Sequence, residues 1–523
     1  MESMTNLNWL RVGDVSAERD QHLKDYFYDA GVSRLLVSNP KSYLLLGRKG
    51  AGKTAVFLHL LSRPGDVFSN NDRVVGLSLQ AYNWHGHRLL LDAQKDGGFQ
   101  YRDSWRFVLA LECLKALKEY SEQSREPLAG EIKVAIKAME KIFNSPLLSW
   151  KELLGEKLYA LSKLKLPSAG FSSDGIDGNL GEISFDQIKG DNQLVIALRR
   201  NLEALTSWLE SCLKKAPEKF RVFLVFDRLD EAWVPEFISE SKAIVSGLLH
   251  ASEYVLSELS GRVRPLVFLR EDIFSALDVN DRNKLKEDCS ANLRWSREQI
   301  EKLVLRRINF FARGAKRPEI ASLDELFLEQ KIRSKTTPVK HAFNRTMCRP
   351  RDMVALLNKV IAAARSDEAS HSSGKLASAA MYAAEPDYSE YLYEELSDEW
   401  RNQRPDFLEY LRAVENLRYA VFSVDEFQQV LRDKGLAKER AEYRDILRFL
   451  FDNSIVGITV GESTQWRYRC FFPNQAFVDC DALKIHPGLI KRLGLIERTS
   501  PNVPKEVANA ITHSEEQEGE NIA

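Results

Sequence analysis

An α/β fold, a parallel sheet flanked by helices, is predicted by three stretches of this 523-residue chain. YLLLGRKGAGKTAVF (Tyr43 to Phe57) runs from an apolar strand through a glycine-rich loop into helix formers. RVFLVFD (Arg221 to Asp227) and RPLVFLRED (Arg264 to Asp272) are apolar runs that end on charge. Unbroken apolar runs suit strands buried on both faces, as in a parallel sheet covered by helices; a one-sided sheet would give alternation.

The first of these stretches carries the strongest motif. GRKGAGKT matches GxxxxGK[ST] in the strand, loop, helix setting that a phosphate loop requires. Gly47, Gly50 and Gly52 let the backbone curl so that successive N–H groups face phosphate oxygens, and the following helix adds its positive end. Arg48, Lys49, Ala51 and Ala55 complete the nucleotide-binding stretch. Lys53 would reach the β and γ phosphates, and Thr54 would bind Mg²⁺ through its hydroxyl. The expected fold is therefore that of a P-loop NTPase.

Such a loop needs a second acidic strand end on the metal side. Asp227 closes a run of five apolar residues and sits at the carboxyl end of its strand, where ligands bind in open parallel sheets. Many ATPases of this layout place a Glu directly after that Asp, and here the position is Arg228. Glu231 and Asp230 are the carboxylates left to orient a water, unless they only start the helix EAWVPEF.

The remaining core elements follow in order. RVVGLSLQAY (Arg73 to Tyr82) reads as the second strand and SWRFVLALECLKAL (Ser104 to Leu117) as an amphipathic helix on the sheet. From about 123 to 199 comes a helical insertion with a Gly and Ser rich loop, PSAGFSSDGIDGNLGEIS. After the strand ending in Arg270, LRWSREQIEKLVLRRINFF holds Ser296 and Gln299 at capping-box spacing and opens a helical lid.

Composition bounds the rest. The length implies two to four domains. With 44% hydrophobic and 28% charged residues, bulk disorder is excluded. Lys and Arg number 74 against 75 acids, so no global field draws in nucleic acid; any such binding is a local patch. The cysteines Cys113, Cys212, Cys289, Cys348, Cys470 and Cys480 form no CxxC pair, which suits reduced thiols and suggests no zinc site. No run approaches the roughly twenty apolar residues of a spanning helix. A cytoplasmic protein without a membrane partner is expected.

GRKGAGKT followed by a strand ending in DRLDEAW resembles the NTPases of the STAND class, NACHT and KAP families included. It is most similar to bacterial P-loop ATPases of a type encoded in anti-phage defence loci, over about residues 25–365. The resemblance implies ATP as the nucleotide, which the residues alone leave open against GTP, and a homo-oligomeric switch. No effector is recognisable in this chain, so a defence output implies a partner effector protein. It implies further that Arg270 is a sensor of the γ-phosphate, and that Arg349 or Arg351, opening the helix CRPRDMVALLNKVIAAA, is a second sensor. Glu271 and Asp272 offer Arg270 ordinary ion-pair partners instead. Arg228 departs from the pattern, since NACHT proteins usually have a small residue there and KAP proteins an Asp.

The expected layout is an N-terminal segment (1–24), an ATPase core (25–290), a helical lid (291–365), a helical and winged-helix-like domain (366–495) and an acidic tail (496–523). VDEFQQVLRDKG, EYRDILRFLFDNSIV and the hairpin GITVGESTQWRYRCFF are similar to a winged helix. Lys434, Lys438, Arg440, Arg467 and Arg469 could reach phosphates there, but acids are interleaved, and packing on the core is the favoured role. His85 and His87 read as exposed imidazoles, and Arg306, Arg307, Arg313, Lys316 and Arg317 as a solvated face. Three functions fit: a slow nucleotide-controlled switch, a DNA-dependent motor or loader, and a scaffold that holds nucleotide without hydrolysis.

Overall fold

The computed structural model describes residues 7–80, 82–90, 99–145, 147, 156–165, 187–188, 190–233, 235–332, 336–460 and 463–508. The insertion loop at 167–184 and the acidic tail from 512 onward lie outside them. The chain forms two compact units, one of residues 29–294 and one of residues 1–28 with 295–523.

The first unit is the expected α/β sheet. Strands β1 (Leu44–Gly47), β2 (Asp72–Ser78), β3 (Arg221–Asp227), β4 (Val263–Arg270) and β5 (Ser290–Asn292) are all parallel, in the order β2-β3-β4-β1-β5. Val222 to Phe226 are 0–1% exposed, because helices cover both faces. The phosphate-loop strand and the acidic strand are not neighbours: β4 lies between them. Its register sets Arg270 beside Gly47.

Helix α1 (Lys53–Ser62) packs on β2 and β3. Helix α2 (Arg102–Ser124) differs from the amphipathic element expected, since Ser104 to Leu114 are all buried. It lies under α4 (Asn192–Leu213) and α5 (Ile238–Glu258) as well as against the sheet, and α3 (Gly130–Phe143) packs beside it. This position explains the buried pair of Arg106 and Glu210, with Nε to Oε1 at 2.9 Å, and the Trp105 Nε1 bond to the Ile244 carbonyl at 2.9 Å. His87 is also fully buried, bonded to Tyr82 and Ser104 at 3.0 and 2.7 Å, so it is a core imidazole and not an exposed one. Desolvation lowers its pKa to about 3.

Among the described residues, no α-helix starts at Glu231. Leu229–Ala232 and Pro235–Phe237 are short 3-10 turns, and α5 begins only at Ile238.

In the second unit, α6 (Arg297–Gly314) starts with the Ser296 and Gln299 capping box. Helices α7 (Pro338–Arg345), α8 (Pro350–Ala364) and α9 (Ser378–Trp400) share one apolar core with the elements that follow. The N-terminal segment belongs to this unit. Arg307 of α6 is 9% exposed, bonds the Val12 carbonyl at 2.9 Å and pairs with Asp20 at 3.2 Å, so it is not part of a solvated face.

The C-terminal part follows the winged-helix order: α10 (Phe407–Glu415), β6 (Tyr419–Ser423), α11 (Val424–Asp433), α12 (Arg440–Asp452), then the hairpin of β7 (Val456–Val460) and β8 (Ser463–Arg467). Two further four-residue strands complete its sheet, β9 (Ala482–Ile485) between β6 and β7 and β10 (Ile496–Thr499) at the edge. Strands that short give almost no periodic signal. Among the described residues, no helix is long and apolar enough to cross a membrane.

Candidate phosphate and metal site

At the carboxyl end of β1 the chain turns through residues 48–52 before α1. Gly50 (φ 80°) and Gly52 (φ 100°) adopt left-handed backbone, which glycine reaches without a Cβ clash. Gly47 sits in a tight place for a different reason: a Cβ there would stand 3.2 Å from the Cβ of Leu293. No side chain caps α1, so its first N–H groups remain available to an anion at the helix's positive end.

Lys53 folds back over the loop and donates to the carbonyls of Gly47 (2.9 Å) and Arg48 (3.3 Å). Burial lowers its pKa; Asp230 opposes that most, Arg270 adds to it, and Asp227 and Asp272 oppose it more weakly. Its ammonium therefore lies among three carboxylates, yet carbonyls hold it. An incoming phosphate would offer it a full negative charge in their place.

Asp227 is 2% exposed and its Oδ2 has no hydrogen-bond partner. Burial raises its pKa to about 6, against the opposing hydrogen bond from the Thr54 hydroxyl and the charge of Lys53. An orphaned buried carboxylate oxygen is costly, and one beside a hydroxyl makes an all-oxygen donor set of the kind Mg²⁺ takes. Thr54 and Asp227 thus fit the metal.

The other two acids separate. Asp230 is 44% exposed at its side chain, supplies the largest stabilising charge on Lys53, and lies 3.9 Å from Arg270 Nη1. Glu231 turns to Arg228, with Arg228 Nη1 to Oε1 at 3.4 Å. Arg228 itself is left-handed (φ 66°, ψ 36°), a conformation that costs a residue with a Cβ about 1 kcal/mol or more. That left-handed step turns the chain at the end of β3, ahead of both carboxylates.

Arg270, 10% exposed, bonds Asp272 in a fork: Nε to Oδ1 at 3.1 Å and Nη2 to Oδ2 at 2.7 Å. Asp272 is 12% exposed, so this is not a surface ion pair, and the residue joins the site as the holder of Arg270. Its signal in the sequence was only its place two residues after the strand end. Lys53, Thr54, Asp227, Asp230, Arg270 and Asp272 are thus brought together by three separate strand ends.

Arg349 and Arg351 lie in the other unit. Arg349 is 3% exposed and bonds Asp352 (2.9 Å) and Glu399 (3.1 Å); burial works to lower its pKa, but these two carboxylates raise it. Arg351 is 31% exposed at its side chain and bonds Glu395 at 3.0 Å.

Comparison with known proteins adds three findings. Residues 298–397 match the family described as the FunZ-associated C-terminal helical domain. This span begins in α6 and runs through the expected lid into α9. Over 365 residues, 66% of the chain, the sequence is 26% identical to the 80.3 kDa protein assigned to transposon gamma-delta in Escherichia coli (strain K12). The match covers 46% of that relative, so the chain spans about half of its length. Among solved structures, Cdc6p from Pyrobaculum aerophilum aligns over 96% of this chain and 99% of its own at 14% identity, with a TM-score of 0.29. At that score the likeness fixes neither fold nor function.

Proposed function

We propose that the α/β unit binds MgATP and hydrolyses it slowly, so that nucleotide state controls conformation or assembly. The observation that carries this reading is the orphaned Oδ2 of Asp227, set against the Thr54 hydroxyl and Lys53 under a glycine loop at an uncapped helix start.

The roles follow from the geometry. Backbone N–H groups of the loop and α1 hold the β and γ phosphates, and Lys53 leaves the carbonyls of Gly47 and Arg48 for their oxygens. Thr54 and Asp227 would hold Mg²⁺, which would supply Lewis-acid charge neutralisation at the phosphate. Asp230, solvent-accessible and near Lys53, orients the attacking water, which adds to the γ-phosphorus as the bond to the ADP oxygen breaks. Arg270 must leave the Asp272 fork to meet the developing charge on the phosphoryl oxygens. That exchange is the switch: the state of Arg270 depends on whether a γ-phosphate is present.

Phosphate release and ATP binding, measured with Mg²⁺ for the wild type and single variants, test the proposal. Lys53→Ala should lose binding and reduce release by about a hundredfold or more. Asp230→Asn should keep binding but lose turnover, while Glu231→Gln keeps both. A wild type that binds ATP and releases nothing at any protein concentration would leave only the scaffold reading standing.

A further inference from the structure

Beside the phosphate loop the sheet carries a second ion pair, one that hydrolysis as derived above does not use. Strand β1 lies between β4 and β5. Gly47 is level with Arg270 on one side; on the other, Leu46 is level with Asn292, and the Leu293 N–H donates to the Leu46 carbonyl at 2.7 Å. Glu271 and Arg294 therefore each stand one residue beyond the level of Gly47, on opposite sides of β1. Two strand spacings, roughly 10 Å at about 4.8 Å each, separate their backbones. Their side chains close that distance, with Arg294 Nη2 donating to Glu271 Oε1 at 3.1 Å. The pair thus spans the carboxyl end of β1, where Gly47 passes into the loop.

The same Glu271 oxygen accepts from Lys286 Nζ at 3.2 Å, on the helix Arg282–Asp288. Burial alone would raise the Glu271 pKa, and the charges of Arg294 and Lys286 bring it below the usual value. The two arginines at this edge are held very differently. Arg270 is 10% exposed in a two-bond fork with Asp272, whereas the Arg294 side chain is 49% exposed and its guanidinium makes one hydrogen bond among the described residues. An exposed pair of this kind contributes little and exchanges readily. If Arg294 leaves, Glu271 keeps Lys286, so the exchange strands no carboxylate.

We infer that Arg294 binds the α and β phosphates of the nucleotide and that Glu271 competes with them for it, an inference that rests on the MgATP reading. On that reading, Asp227 and Arg270 set the metal and the γ-phosphate on the β3 and β4 side of β1. The rest of the nucleotide then extends past β1 towards β5, where Arg294 stands. A guanidinium meets phosphate oxygens through paired N–H groups, and a diphosphate carries more negative charge than one carboxylate. Arg294 therefore answers to a group that ADP and ATP share. Arg270 answers to the γ-phosphate, which only ATP carries.

Calorimetric titration of the full chain with ADP and, separately, with ATP, each with Mg²⁺, tests this in the wild type, Arg294→Ala, Arg294→Lys, Glu271→Gln and Arg270→Ala. Arg294→Ala should weaken ADP and ATP by the same factor, about tenfold or more. Arg294→Lys should recover part of that loss, since it keeps the charge without the planar fork. Glu271→Gln should tighten both nucleotides, a direction that removal of a structural brace would not give. Arg270→Ala should weaken ATP alone. Thermal melting checks folding, and Arg294→Gln gives a second route should the alanine variant misfold. Unchanged binding in Arg294→Ala and Arg294→Gln, or a loss confined to ATP, would overturn the inference and leave the MgATP reading in place. A wild type that binds neither nucleotide would remove that reading and this inference with it.

Discussion

Asp227 and Glu385 are two buried carboxylates treated in opposite ways. Glu385, 3% exposed, meets His341 Nε2 at 2.8 Å and Arg345 Nε at 2.9 Å. Burial alone would raise its pKa, but the His341 hydrogen bond and the Arg345 charge bring it below the usual value. Asp227, 2% exposed, has a hydroxyl and a lysine that faces carbonyls, and its pKa is pushed up to about 6. Where a buried charge is structural, the fold supplies its partner directly. At the end of β3 the fold leaves a charge incomplete, and a cation from solution would complete it.

The largest effect expected from breaking this contrast is at Glu385. Glu385→Gln leaves Arg345 buried without its close countercharge and should cost about 3–5 kcal/mol in chemical denaturation. Because the folded pKa is depressed, this stabilisation is present above the unfolded value of 4.5 and is lost as pH falls through the lower folded value. The gap between variant and wild type should therefore narrow in acid.

Asp227→Asn should act in the opposite direction. A folded pKa of about 6 against 3.8 means that the ionised carboxylate destabilises the folded chain above pH 6 and ceases to do so as pH falls towards 4. Without Mg²⁺ or nucleotide the variant should be more stable by about 2–3 kcal/mol at pH 8, converging with the wild type below about pH 4. MgATP should raise the melting temperature of the wild type alone. A variant less stable than the wild type at pH 8 would mean that Asp227 is a structural residue like Glu385.

Arg228→Gly sharpens the contrast with a smaller effect. Removing the left-handed Cβ strain should stabilise the chain by about 1 kcal/mol, offset in part by the added freedom of the unfolded glycine. Calorimetry would show this. A loss of stability would place the worth of Arg228 in its contact with Glu231.

The glycine loop was legible because its residue types answer a local demand, glycine for the left-handed turns at positions 50 and 52 before a helix. The β3 run was equally plain, since five apolar residues ending in Asp227 have few other uses. The capping box at Ser296 is another local signal that the structure reproduces. Burial on all sides is not local. Composition and spacing did not show that α2 is enclosed, that His87 lies in the core, or that Arg307 is clasped by the N-terminal segment.

Strand order was equally out of reach. Residues more than two hundred positions apart share an edge only because β4 enters the sheet between β1 and β3, and its register then sets Arg270 beside Gly47. The different partners of Asp230 and Glu231 were likewise out of reach, and Arg228 ahead of them adopts a backbone angle that no residue preference would have predicted. By itself, then, the sequence determined the loop, its strands and the chemistry they can hold, because those depend on neighbours in the chain. The tertiary structure decided which charges are completed inside the protein and which are left for a ligand, because desolvation and ion pairing act between groups that only the folded sheet brings together.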